Sequence, residues 1–405
     1  MGVSREATGW DLPFAPAEYD QRLCRVREEM GRLDLGLLYV TSPPNLYYLC
    51  GAEWAWYGMR FPSGLAVPLA DEPPMLFAPW QNQPFPPTVA KADTVAFEDE
   101  PFPETHAVVA RTLAARGWLG DRVGLEYWSR AQPYPTMAAL REVVRADGRS
   151  EVVDASFLVD RVRQLQSPQE LAYTRTAVAV ADAACTAVRE ALAPGVTEKE
   201  LMGLVYGVFG KLGGDEPAIR LMIHSGSRTD PLRSRGDALH IPTRHRALQR
   251  GDLVMMQMGA SYNCYHCCTG RAFSLGENPF WEKALARLAE GVESTTAGIT
   301  PGMSTGELQR RMDEHVDAIA MRDYVWWVGG YTIGIAMPPD WVGHVYLDPA
   351  MSPEEASFAP GLVALWEVQF WDLAEQEGCG IVDTMIMTDE GIEIPASFPR
   401  TLTVV

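Results

Sequence analysis

The residue types able to do chemistry concentrate between Gly251 and Gly276, GDLVMMQMGASYNCYHCCTGRAFSLG. Asp252 to Met256 is a short apolar run after a Gly-Asp turn and predicts a buried strand. Gly259-Ala260-Ser261 predicts a turn, and Tyr262 to Phe273 the returning strand. Alternate strand residues share a face. Cys264, His266 and Cys268 are therefore expected to point one way, and Tyr265 and Cys267 the other. A thiol–imidazole–thiol face suits a single soft metal ion. Side chains two apart on a flat strand nevertheless converge poorly on a tetrahedral centre. Cys268 is a nucleophile if His266 depresses its pKa, and a small buried filler otherwise, which is the expected role.

Two further residues carry acid–base potential. His240 stands in LHIPTRHRALQRGD, eleven positions before Gly251. A loop histidine entering a buried hairpin titrates near neutrality and suits general acid–base work; a solvated loop histidine is the alternative. Glu367 closes the apolar run Gly361–Glu367, and a glutamate in such a run needs a partner. Gly329 to Ile335 reads as a glycine-punctuated strand, where glycine marks close backbone approach. Pro338-Pro339-Asp340-Trp341 then predicts an extended loop with a turn. His106 and His315 lie in charged helical surroundings and are expected at the surface. Trp54, Trp56, Tyr57, Trp326, Trp327, Trp341 and Trp371 suggest a pocket for a cationic or ring-bearing ligand, or ordinary packing.

The elements that must position these residues fall into two domains, 1–160 and 161–405. In the first, Tyr19, Leu23, Val26 and Met30 share a helical face within 17–33. Leu35–Val40, Gly64–Pro68, Met75–Phe77 and Arg122–Leu125 read as strands, and 104–116 and 135–146 as helices. Pro43-Pro44-Asn45 reads as a turn into Leu46–Leu49. Alternating strands and helices argue an α/β domain. Ser167-Pro168-Gln169-Glu170 is a capping box opening a long helix to about Leu192. Pro194–Leu201 echoes Pro301–Leu308, and both predict a capping box at the start of a new helix. The echo suggests a duplicated half, pseudo-two-fold symmetry and a site at its middle.

With 405 residues, 47% hydrophobic and 21% charged, the chain has the make-up of a globular protein. A net charge of −19 argues against nucleic acid and anionic membranes as partners. No run approaches the roughly 18–20 apolar residues of a membrane span. The N-terminal stretch lacks a signal-peptide core. Seven cysteines, mostly in apolar contexts, predict reduced thiols and a cytoplasmic protein.

Several stretches together resemble the creatinase/prolidase family. These are Leu37–Leu49, Gln166–Glu170, Ser225-Gly226, His240, Gly251–Val254, Arg271, Phe273, Gly334, Gly361, Glu367 and Asp383-Thr384. The resemblance implies an α/β (α+β) protein. A pita-bread catalytic domain with pseudo-two-fold symmetry follows a smaller creatinase-type N-terminal α/β domain. Peptidase members bind two metal ions through two aspartates, a histidine and two glutamates. Those positions fall here on Gln257, Cys268, Tyr331, Glu367 and Val382, leaving one carboxylate of four. A dinuclear site needs bridging carboxylates, so no metal and no cofactor are expected. Gly330–Ile335, Pro338–Trp341 and Tyr265–Cys267 look closer to ectoine hydrolase and creatinase, which cleave C–N bonds of small carboxylated amidines. Val342-Gly343-His344 and Gln369-Phe370-Trp371 depart from that pattern.

The resemblance implies metal-independent hydrolysis of a C–N bond in a small amidine- or amide-like carboxylated substrate. His240, Glu367 and Tyr331 are the expected catalytic residues. Gln257, Cys268, His266, Arg228, Arg60, Asp340 and Trp341 are expected to contact substrate, with Arg60 reaching across a homodimer. A lyase or other elimination enzyme on the same scaffold, or a non-catalytic binding protein derived from a Xaa-Pro peptidase, are the alternatives.

Overall fold

The structure is a computed structural model that describes residues 12–52, 61–79, 91–97, 104–120, 122–129, 132–146, 148–229, 243–338, 340–351, 356–372, 374–375 and 377–405. The chain forms two compact units, Met1–Arg163 and Gln164–Val405.

Unit 1 contains α1 (Pro16–Arg32), β1 (Leu37–Val40), α2 (Pro43–Cys50), β2 (Gly64–Pro68), β3 (Met75–Pro79) and β4 (Asp93–Phe97). It continues through α3 (Thr105–Ala115), β5 (Arg122–Leu125), α4 (Tyr134–Arg145), β6 (Glu151–Asp154) and α5 (Leu158–Arg163). Its sheet runs β4-β3-β2-β1-β5-β6. Tyr19, Leu23, Val26 and Met30 are buried on one face of α1, as their spacing predicts.

Two expectations fail in this unit. Pro43-Pro44-Asn45 is not a turn into Leu46–Leu49, because the whole of Pro43–Cys50 is α2. Prolines open that helix at its first positions, and Gly51 ends it in a left-handed conformation. The Thr41 and Ser42 amides just before α2 donate to one oxygen of buried Glu126, at the end of β5. His106 is buried within α3, because it lies on the inward face with Val109 and Leu113.

Unit 2 opens with α6 (Pro168–Ala191), α7 (Glu198–Lys211), β7 (Met222–Ser225), β8 (Leu253–Met258), β9 (Ser261–Tyr262), β10 (Tyr265–His266) and β11 (Thr269–Ser274). Then come α8 (Pro279–Thr296), α9 (Thr305–Ala318), β12 (Val325–Thr332), β13 (Val363–Asp372), β14 (Glu377–Thr388), β15 (Gly391–Glu393) and β16 (Thr403–Val404). The capping box at Ser167 and Glu170 forms as predicted. The echo is real but inexact. Thr197 and Glu200 make a capping box, whereas Ser304 caps by accepting from the Gly306 amide.

The main sheet of this unit runs β12-β13-β14-β11-β8-β7. Its order reads as two triplets placed back to back, so a pseudo-dyad passes between β14 and β11. Gly251 and Gly361 both take positive φ at the entrance to the middle strand of each triplet. On α6 and α7, Ala177, Ala181, Val188, Val205 and Phe209 pack with Val254 and Met256. In the second half, Trp281, Leu288, Leu308 and Met312 of α8 and α9 pack with Trp366 and Val368. The duplicated half is thus visible in sheet order, turn geometry and core.

Candidate active site

Residues directly opposed in an antiparallel ladder share a face. One such row crosses the whole sheet: Met222, Gln257, Gly270, Val382, Glu367 and Gly329 are successive partners. Cys268 lies two residues from Gly270, and Tyr331 two from Gly329, so both join the same face. The pseudo-dyad falls between Gly270 and Val382 and equates Gln257 with Glu367.

Glu367 is buried, and its Oε1 accepts from Gln369 Nε2 at 2.7 Å. Burial pushes its carboxyl up to about 7, against the pull of the Gln369 bond. Gln257 is 4% exposed, and its Oε1 has no hydrogen-bond partner among the described residues. A buried acceptor in that state needs an explanation.

The Tyr331 hydroxyl accepts from Trp341 Nε1 at 2.7 Å. Indole nitrogen can only donate. The phenolic hydrogen is therefore left for another acceptor. Burial raises the Tyr331 pKa, and the charges of Cys268 and Glu367 add to that against the Trp341 bond. Tyr331 is thereby a hydrogen-bond donor and not a base.

Cys268 is fully buried among Ile333, Val363, Leu365, Val382 and Ile386. Burial pushes its thiol well up, and Cys267 and Glu367 push the same way. It is a protonated filler.

The expected thiol–imidazole–thiol face does not exist. Tyr262 to Phe273 is not one strand, because Asn263 and Cys264 take positive φ of 48° and 62° and turn the chain. β9 and β10 form their own two-stranded ladder, apart from β11. The Cys264 amide donates to Asp215 Oδ2 at 2.8 Å. His266 donates its amide to the Gly334 carbonyl, and its Nδ1 lies 2.7 Å from the same oxygen. A carbonyl only accepts, so Nδ1 carries the proton. His266 thus stands by the segment that follows β12. Among the described residues, no three His, Cys, Asp or Glu side chains are grouped to hold a metal ion.

Asp340 closes a turn, its amide bonded to Met337 and its Oδ1 accepting from the Val342 amide. Trp326 and Trp341 pack against Ile219 and Met222, at the β7 end of the row. His240, Arg60, Trp54, Trp56 and Tyr57 lie outside the described residues, as does the Arg228 side chain.

The reverse of the sheet carries a buried charge cluster. Arg271 Nη2 meets Asp383 Oδ1 at 2.6 Å, Arg400 Nε meets Asp383 Oδ2 at 2.5 Å, and Arg271 Nη1 donates to the Val382 carbonyl at 2.8 Å. Burial pushes the Asp383 carboxyl up, but the two guanidiniums hold it below its ordinary value. This cluster bolts β11 to β14 where the row crosses the pseudo-dyad. Sequence reasoning placed Arg271 and Asp383 in the family pattern without a role, and missed Gln369 as a partner for Glu367.

Residues 172–389 match the model of metallopeptidase family M24, and residues 22–165 match that of the creatinase/prolidase N-terminal domain. The chain belongs to family M24. Among characterised relatives, ectoine hydrolase of Halomonas elongata is 28% identical, over 96% of this chain and 98% of that protein. The Xaa-Pro dipeptidase of Pyrococcus furiosus is 22% identical, over 92% and 96%. Among solved structures, a Xaa-Pro dipeptidase from Bacillus anthracis superposes with a TM-score of 0.78 at 18% identity, covering 96% of this chain and all of that one. A family M24 member is a hydrolase, and the pita-bread fold expected from the sequence is present.

The family name implies metal ions, and the donor set on the row does not fit a pair of them. Two divalent cations call for several anionic oxygens. The row offers one carboxylate, an amide, a phenol and a thiol whose protons burial retains, and Val382.

Proposed function

We propose that this M24 hydrolase cleaves a C–N bond in a small, carboxylated amidine- or amide-like substrate without metal ions. The observation that carries the reading is the placement on one sheet face of a buried carboxylate, Glu367, and a buried amide oxygen, that of Gln257, which has no hydrogen-bond partner among the described residues. Both accept N–H groups, and one is anionic above about pH 7. A ligand with one cationic and one neutral N–H group satisfies both. The similarity to a relative named for ectoine hydrolysis supports the same substrate class.

In this reading His240 takes a proton from water as its oxygen attacks the electrophilic carbon. Histidine then returns that proton to the nitrogen as the C–N bond breaks. Glu367 holds the amidinium charge, while Tyr331 donates its hydroxyl hydrogen to the tetrahedral centre. Gln257 orients the neutral nitrogen. Arg228 of the same chain and Arg60 of a second copy would take the substrate carboxylate through bidentate contacts. Trp341 holds Tyr331 as a donor.

The test is a turnover panel of ectoine, other cyclic and acyclic amidine carboxylates, small amides and Xaa-Pro dipeptides, run in ¹⁸O-labelled water. One amidine or amide should be consumed with label entering the product. His240→Ala should slow it by about 10²–10⁴-fold. Product without label would mean elimination. Turnover confined to Xaa-Pro dipeptides would mean a peptidase. Wild-type rates in His240→Ala would remove this mechanism.

A further inference from the structure

The pseudo-dyad separates what the fold needs from what one half adds. Around the start of α7, the Gly195 amide donates to Leu248, Leu248 to Val196, and Glu198 to Arg246. Around the start of α9 the same pattern recurs: Gly302 donates to Phe358, Phe358 to Met303, and Thr305 to Ala356. Glu198 therefore corresponds to Thr305, and Arg246 to Ala356. Ser225 and Thr332 end the outer strands at matching register, opposite Val254 and Ala364. Asp252 and Leu362 each follow a left-handed glycine.

In the first half these four positions form one polar cluster. Glu198 Oε1 accepts from the Ser225 amide at 3.0 Å and from its hydroxyl at 2.8 Å. Glu198 Oε2 accepts from the Arg244 amide at 3.0 Å. Arg246 Nη1 donates to Ser225 Oγ at 2.6 Å and Asp252 Oδ2 at 2.5 Å, and Nη2 to Asp252 Oδ1 at 2.9 Å. Glu198 and Ser225 are wholly buried. Gly226, at φ +55°, is the residue that lets the backbone pass, because a Cβ there would stand 2.7 Å from Asp252 and 2.8 Å from Arg246. The second half has Thr305, Thr332, Ala356 and Leu362 in these places and folds alike. The fold thus does not require the cluster. Burying its charges costs free energy that only good pairing offsets.

We infer that Glu198, Ser225, Arg246 and Asp252 are a positioning cluster that fixes the end of β7 against residues 244–246. In the sequence, Arg228 and His240 lie between these two tied points. The roles of those two residues rest on the proposed function; the clamp itself does not.

Glu198→Gln in the full chain tests this, with Thr305→Ala, its counterpart in the other half, as the control. Amide hydrogen exchange at Ser225 and Arg244 should rise about 10-fold or more in Glu198→Gln and stay unchanged in Thr305→Ala. On whichever panel substrate turns over, kcat should fall about 10²-fold in Glu198→Gln with KM changed far less, and Thr305→Ala should turn over normally. If Glu198→Gln does not fold, Ser225→Ala removes only the bridging hydroxyl and is read in the same way. Unchanged exchange at both amides would overturn the inference, as would raised exchange with normal kcat. If His240→Ala itself retains turnover, the proposed function fails, and the exchange measurement still decides whether the clamp exists.

Discussion

Tyr331 shows how one hydrogen bond assigns a role. Because Trp341 can only donate to it, the phenol must present its own hydrogen to something else. Tyr331→Phe should lower kcat by about 10²–10³-fold, the loss expected for one donor to a developing oxyanion. Trp341→Phe, which frees the phenol to rotate, should cost less. Cys268→Ala should leave kcat within about 3-fold, since a buried protonated thiol makes no covalent intermediate. Steady-state kinetics on the three variants checks all of these. Glu126 and Glu367 are both pushed up to about 7. Infrared difference spectra between pH 5 and pH 8 should show two carboxyl groups losing protons near 7, one lost in Glu126→Gln and the other in Glu367→Gln. What was legible at this scale was residue type at family positions, such as Glu367 and Val382. Gln369 was not, because its bond to Glu367 needs β13 to continue beyond the glutamate.

Elements explain where the strand reading broke. Asn263-Cys264 is a left-handed pair, and cysteine in the place usually taken by glycine hides the turn inside an otherwise strand-like run. α2 was equally hidden, since its buried residues lie all round and give no periodic stripe. The long helix at Ser167 and the two halves were legible, because caps and glycine turns are local chemistry. The pairing of β11 with β14 was not, because it depends on chain segments more than a hundred residues apart. Asp383→Asn should cost about 3–5 kcal/mol in denaturant unfolding of unit 2, because buried Arg271 and partly buried Arg400 lose their charge partner. A loss under about 1 kcal/mol would mean that the cluster is not what joins the halves.

For the whole molecule, each of the two units carries a buried carboxyl pushed up to about 7, Glu126 in the first and Glu367 in the second, so each loses that contribution as pH rises. Glu126 binds its proton more tightly folded than unfolded, so its contribution is fully present below about pH 4.5 and is lost as pH rises through about 7. Unit 1 should therefore be less stable at pH 8 than at pH 5 by an amount on the order of 3 kcal/mol, with the difference reduced in Glu126→Gln. Calorimetry with separate assignment of the two transitions measures this. None of the described helices is long and apolar enough to cross a membrane.

In the proposed function Glu367, Gln257 and Tyr331 act on one sheet face without the two ions that metallopeptidases of the family keep. The most direct measurement is the metal content of the purified enzyme taken together with its turnover before and after chelation. Essentially no stoichiometric transition metal and a rate that chelator leaves unchanged are expected. Two metal equivalents per chain, with activity lost on chelation and restored by Mn²⁺, Co²⁺ or Zn²⁺, would contradict it.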